Sequence, residues 1–144
     1  MFRSILVAID GSEAAIEALK QATELARQSD GRLTLISVAV PATQPLVGPY
    51  VVPVPTHEQL EQEAERLVRV AAALVPEGVP VSTVVRHGAA AEAILDRIEH
   101  GEHDLVVMGS RGLGLAGSIL LGSVSRAVVA RSPVPVLIHP ARTD

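Results

Sequence analysis

Between Met108 and Ser123 the sequence reads MGSRGLGLAGSILLGS, which holds five of the chain's eleven glycines. Glycine runs of this kind let backbone N–H groups approach an anion closely, phosphate above all. Which chemistry results depends on which glycines are used. Gly112 to Gly117 (GLGLAG) fits the dinucleotide pattern G-x-G-x-x-G. That pattern has to follow the first strand, open directly into a helix and find an acid about 20 residues later for the ribose. Here the run follows the fourth predicted strand and opens into the short segment SILLG, and no Asp or Glu stands between Asp104 and Asp144. A dinucleotide site fails on context. A Walker loop fails too, because it needs a lysine and Lys20, inside the first predicted helix, is the only one. A receiver domain needs a pair of acids after the first strand and a lysine after the fifth. Only Asp10 stands at the first place, and the second lacks its lysine.

A different spacing remains: Gly109-x2-Gly112-x9-Gly122-Ser123. Gly109 and Gly112 would let the chain leave the fourth strand with its N–H groups turned to a ligand. Gly122 and Ser123 begin the last predicted helix, whose free N–H groups and positive dipole end favour an anion. Two such backbone nests could hold a polyphosphate from both sides, with Arg111 supplying positive charge.

The elements that must position these residues follow from hydrophobic periodicity. Strands are predicted at Ser4 to Asp10, Arg32 to Val40, Val81 to Arg86, Asp104 to Met108 and Val134 to His139. Helices are predicted at Glu13 to Gln28, His57 to Val75, Ala89 to His100 and Ser123 to Arg131. The second helix would bury Leu60, Ala64, Leu67, Ala71 and Leu74, and pair Glu65 with Arg69 on its wet face. Ser12 is a candidate cap for the first helix and Gly101 a candidate C-cap for the third. The segment Pro41 to Pro55 carries half of the ten prolines, which excludes a helix or a central strand and suggests a lid or a surface-packing arm. Its apolar residues need cover, from the body of the protein or from a partner.

Strands alternating with helices over 144 residues imply one α/β domain, a doubly wound five-stranded parallel sheet, Rossmann-like, in the order 3-2-1-4-5. Ligands then bind beyond the strand carboxyl ends where the winding reverses, between the first and fourth strands. Asp10 and Met108-Gly109 end those strands.

Composition narrows the function classes. There is no cysteine, so disulfides and thiolate sites are excluded. The net charge of −4, scattered basic residues and only two aromatics (Phe2, Tyr50) argue against nucleic acid. No leader or membrane-length apolar run is evident, so a cytoplasmic location away from membranes is expected.

The glycine spacing and several other segments in order (ILVAIDGSE, HGAAAEAIL, DLVVMGSRG, LLGSVSRAVV, SPVPVLI) make the chain resemble the universal stress protein family, its ATP-binding subgroup in particular. The resemblance implies that Asp10 and Val38 contact the adenosine and that Ala8 fills the small-residue position before the aspartate. It further implies that Met108, Gly109, Arg111 and Gly112 hold ribose and phosphates and that Gly122, Ser123 and Val124 form the phosphate-binding helix start. A divalent ion, Mg2+ or Mn2+, would be carried by the ATP phosphates rather than by protein ligands. Pairing of the 134–139 edge strand would make a homodimer.

Structural alternatives stand beside these roles. Asp10 could serve the DGS turn, Ser123 could be an N-cap, and Gly114 and Gly117 could serve only a loop. His87 reads as a turn residue, and His100 and His103 (HGEH) lack further ligands for a metal. No hydroxyl–histidine–acid set can be assembled, so no catalytic residue is assigned. The expected function is an ATP-dependent binding switch in stress response, engaging an unidentified partner, with slow hydrolysis at most. A slow ATPase, a nucleotide-free dimeric scaffold and an AMP or cyclic AMP binder are the alternatives.

Overall fold

In the computed structural model, residues 1–41, 46–47, 50–51, 53–110 and 121–140 are described. The elements are β1 (Ser4–Ala8), α1 (Glu13–Ser29), β2 (Arg32–Ala39), the two-residue strands β3 (Leu46–Val47) and β4 (Tyr50–Val51), α2 (His57–Ala73), β5 (Val81–His87), α3 (Ala90–His100), β6 (Leu105–Gly109), α4 (Ser123–Arg131) and β7 (Val136–His139). The main sheet is five-stranded, order β5-β2-β1-β6-β7, with every pairing parallel. Counted along the sheet's own strands this is 3-2-1-4-5, as expected. Within the proline-rich segment, β3 and β4 pair with each other, antiparallel, and among the described residues they form a two-stranded sheet apart from the main one.

Side chains alternate along each strand between two helical layers. Ile5, Val7, Leu33, Leu35, Leu105 and Val107 face Ala18, Leu19 and Ala22 of α1 and Val68 and Ala71 of α2. Leu6, Ile36, Val106 and Met108 face Ile94, Leu95 and Ile98 of α3 and Val128 of α4. So α1 and α2 cover one face and α3 and α4 the other. Helix α1 is small-residue rich on its buried side, which lets it lie close to the sheet. Gly109 shows how close: a Cβ there would sit 2.8 Å from Ala14 Cβ.

Three local details differ from expectation. In α2 the buried set is Ala64, Val68 and Ala71, while Leu74 is 57% exposed. The helix ends at Ala73, so Leu74 falls on its C-cap and leaves the apolar stripe. Helix α2 carries the ion pair Glu63–Arg66, Oε1 to Nη2 2.6 Å and spaced i,i+3, and the expected Glu65–Arg69 pair is not among those of the described residues. A capping box also starts α2, with Thr56 accepting from Gln59 N and Gln59 accepting from Thr56 N.

The amino ends of the strands are tied by polar contacts. The Asp104 carboxylate accepts from the backbone N–H groups of Arg3 (2.9 Å) and Ser4 (3.1 Å). His103 is buried beside it; Arg97 Nε donates to its Nε2 at 3.1 Å and its Nδ1 lies 3.1 Å from Ser4 Oγ. Arginine can only donate, so Nε2 accepts and the ring is neutral, its proton on Nδ1. Gly101 caps α3 with φ −100, not left-handed. It has to be glycine because a Cβ would lie 2.6 Å from both Arg97 O and His103 Nε2. His100 points instead to solvent and pairs with Asp96, so the HGEH histidines do not share a ligand. No helix among the described residues is long and apolar enough to cross a membrane.

Two predictions test this packing. Burial, then the charges of Arg97 and Arg32, push the His103 pKa down from 6.5 to about 4. Between those values the unfolded chain binds a proton that the folded chain refuses, so stability should rise with pH across that window. Urea unfolding at several pH values should show this rise, and His103→Gln should flatten it. Gly109→Val should destabilise the fold by about 1–3 kcal/mol through overpacking against Ala14, read as a lower urea midpoint at an unchanged slope.

Candidate functional site

Two directions of winding leave one opening in the sheet. From β1 the chain moves through α1 to β2 and through α2 to β5; it then crosses back to β6 and continues outward through α4 to β7. Helices leaving β1 and β6 therefore go to opposite faces and cannot close the gap between them. At the carboxyl ends of these strands lies a cavity of about 650 Å³, a volume ordinary for a small-molecule site.

Eight of the ten residues expected at a site line it. Ala8 and Asp10 come from the end of β1, Val38 from β2, and Met108 and Gly109 from β6. Gly122, Ser123 and Val124 come from the start of α4. Arg111 and Gly112 lie outside the described residues, as do Gly114 and Gly117. Most of the wall is apolar, with Ile36, Val38 and Ile94 on one side, suited to a flat heterocycle. Among the described residues Asp10 is the one carboxylate on it.

The carboxylate of Asp10 is held rather than loose. Its Oδ1 accepts from Ser12 N (2.9 Å) and from Ser12 Oγ, while Ser12 Oγ accepts from Ala15 N (3.1 Å) and so caps α1. The turn role and the site position are thus combined in one residue. Both bonds of the turn go to Oδ1 and neither engages Oδ2.

The start of α4 supplies the opposite character. Gly122 is the N-cap, with φ −69 and ψ 170 and no side-chain cap, and Ser123 is the first helical residue. Ser123 is therefore not the cap that sequence allowed as an alternative. No acid occupies the first turn. The first intrahelical bond runs from Arg126 N to Gly122 O (2.9 Å), which leaves the N–H groups of the first turn without a partner inside the helix. Such a turn attracts an anion through both its donors and its dipole. The conformation of Gly122 is open to any residue, so its backbone angles do not explain why it lacks a side chain.

Sequence reasoning missed the residues that hold this turn in place. Ser125 is buried, and its Oγ donates to Ser110 O at 2.6 Å. Gly122 N donates to the same carbonyl at 2.8 Å. The end of β6 and the start of α4 are thereby joined through one oxygen, across the ten residues outside the described set. The signal was present as the serine two places after Ser123, but its target is fixed only by the fold. Ala90 and Ile94 of α3 also line the cavity, and nothing local in the sequence brings them to it.

Comparison with known proteins adds to this geometry. The sequence pattern of the Universal stress protein family matches residues 1–140. A universal stress protein of Thermus aquaticus, in the QAH/OAS sulfhydrylase 3′ region, is 39% identical over 140 residues, covering 96% of this chain and 98% of that one. Universal stress protein YxiE of Bacillus subtilis is 35% identical over 148 residues, covering 96% and 99%. Among solved structures, hypothetical protein MJ0577 superposes with a TM-score of 0.79 at 23% identity, covering 100% of this chain and 99% of that chain. A universal stress protein from Archaeoglobus fulgidus in complex with dAMP gives 0.71 at 20% identity, covering 94% and 96%. An Arabidopsis thaliana family protein with AMP bound gives 0.67 at 19%, covering 97% and 92%. At these identities the structural likeness establishes the fold. The sequence match goes further: the chain belongs to the universal stress protein family.

Proposed function

We propose that this protein binds ATP in the cavity between β1 and β6 and acts as a nucleotide-dependent binding switch in stress response. The observation that carries the reading is the joint position of an apolar slot, a held carboxylate and an open helix start around one cavity of about 650 Å³. Adenine fits the slot walled by Ile36 and Val38. Asp10 has an oxygen available for a ribose hydroxyl, and the first turn of α4 suits phosphate oxygens. Arg111 and Gly112 would complete the phosphate cradle.

The donor set also bears on the metal. Among the described residues one carboxylate lines the wall, already engaged through Oδ1, and that is too few hard oxygens to hold Mg2+ or Mn2+ by itself. The ion would enter on the phosphates, where it neutralises their charge. The same poverty argues against efficient hydrolysis, since no described side chain on the wall is placed as a base for water. Binding is then the activity, and the nucleotide's presence is the signal.

The relatives with AMP and dAMP bound favour a second reading, a site selective for nucleoside monophosphates. Calorimetric titration of the nucleotide-stripped protein with ATP and magnesium, and in parallel with AMP, distinguishes the two. Saturable one-to-one binding of ATP, about tenfold tighter than AMP (about 1.4 kcal/mol), is the expected result. Gly122→Val should weaken ATP at least about tenfold while the circular dichroism stays native, since it crowds the helix start. AMP binding as tightly as ATP would move the assignment to the monophosphate reading.

The homodimer belongs to the same proposal. Strand β7 is an edge strand with one ladder occupied by β6, and its Leu137 is 36% exposed. An apolar edge of this kind invites strand pairing. Light scattering should give the mass of a dimer for the native chain and of a monomer for Leu137→Asp.

A further inference from the structure

Away from the cavity, the structure gathers three ligating side chains from two elements. His57 is the first residue of α2, Glu61 lies one turn later, and His87 ends β5. Their ligating atoms all lie within 4.8 Å of one another. The rings of His57 and His87 stack with centroids 4.6 Å apart and planes at 26°, and His87 Nε2 is 3.6 Å from Glu61 Oε2. None of the three lines the cavity described above.

We propose that His57, Glu61 and His87 form a binding site for a divalent transition-metal ion of the zinc class. Two imidazoles and a carboxylate are a ligand set that zinc takes up readily, leaving a fourth position for water. Tetrahedral bonds of about 2.0–2.1 Å bring ligand atoms to about 3.4 Å from one another. Small side-chain rotations close the present separations to that value, and the exposure of both histidines leaves room for them.

The backbone that carries the ligands is fixed. The Thr56–Gln59 capping box sets the start of α2, so His57 cannot fray away. The spacing of four residues puts Glu61 on the same helix face as His57. His87 is held by the ladder opposite Ala39, with Gly88 N donating to Ala39 O at 3.1 Å. Supporting a ligand set on rigid elements is what gives a metal site its precision. Nearby charge also favours a cation: Glu58 follows His57 directly, and the next basic side chain on α2, Arg66, is already paired with Glu63. Arg86, beside His87 in β5, turns its guanidinium back onto the Val85 carbonyl. A bound ion would clamp the start of α2 to the edge of the sheet, at the point where the chain returns from the proline-rich segment.

Zinc chloride titrated into the full-length, nucleotide-free chain at neutral pH tests this by calorimetry, and cobalt(II) by its visible absorption. One ion per chain at micromolar affinity is expected, weakened about tenfold or more in His87→Ala and in Glu61→Gln. His100→Ala, at an exposed histidine elsewhere, should bind as the native chain does. Cobalt absorption should be lost in His57→Ala. All these residues lie outside the core, so native circular dichroism is expected throughout. Absence of uptake at high micromolar zinc, or uptake unchanged in the His57, Glu61 and His87 variants, would overturn the proposal. Because no nucleotide is present, failure of ATP binding would leave this result untouched.

Discussion

The reversal of winding beside β1 is the constraint from which the rest of the site follows. Two neighbouring parallel strands whose following helices leave for opposite faces cannot have their carboxyl ends covered. Every feature at the cavity is a response to that opening. Small residues at Ala8, Ala15 and Gly109 keep it from being filled, and α1 seats closely against Gly109 through Ala14. A carboxylate and an uncapped helix start then stand on its rim. Remove the reversal and these groups would have no common space to face.

Rigidity around the opening comes from short bonds between elements far apart in sequence. The Ser110 carbonyl accepts both from Gly122 N and from Ser125 Oγ, so the first turn of α4 is registered against β6 whatever the intervening chain does. Each such bond contributes about 0.5–1.5 kcal/mol net, yet an unmade one at a buried oxygen costs more. Ser12 does a similar job for α1, sharing its hydroxyl between Asp10 and Ala15. In both places one serine couples a strand end to a helix start, which keeps the rim groups within a fixed geometry.

Much of this was legible in the sequence because it is periodic or locally punctuated. Runs such as ILVAID and DLVVM, short and bounded by turn residues, read as buried strands, and α4 was bounded correctly at Ser123–Arg131. The opening between the first and fourth strands followed from the alternation of strands and helices, although β1 ends at Ala8 rather than at the expected Asp10 and β6 at Gly109 rather than at Met108. What escaped were facts that exist only after folding. Val68 outranks Leu74 in burial because the helix stops at Ala73, and boundaries depend on capping that tertiary packing decides. Gly109 was read as freedom for the backbone, whereas its tightest requirement is Ala14 approaching from another element. Ser125, Ala90 and Ile94 reach the cavity through sheet order, which no local window contains.

The knot of Ser4, Arg97, His103 and Asp104 occupies the amino ends of the strands, and the cavity occupies their carboxyl ends. The two share no side chain. Mutation can therefore rewrite one end while the other stays as it is, which gives a lineage built on this sheet room to change its ligand without first losing its fold. In that sense the length of a β-strand acts as an insulator between what keeps the molecule standing and what it is used for.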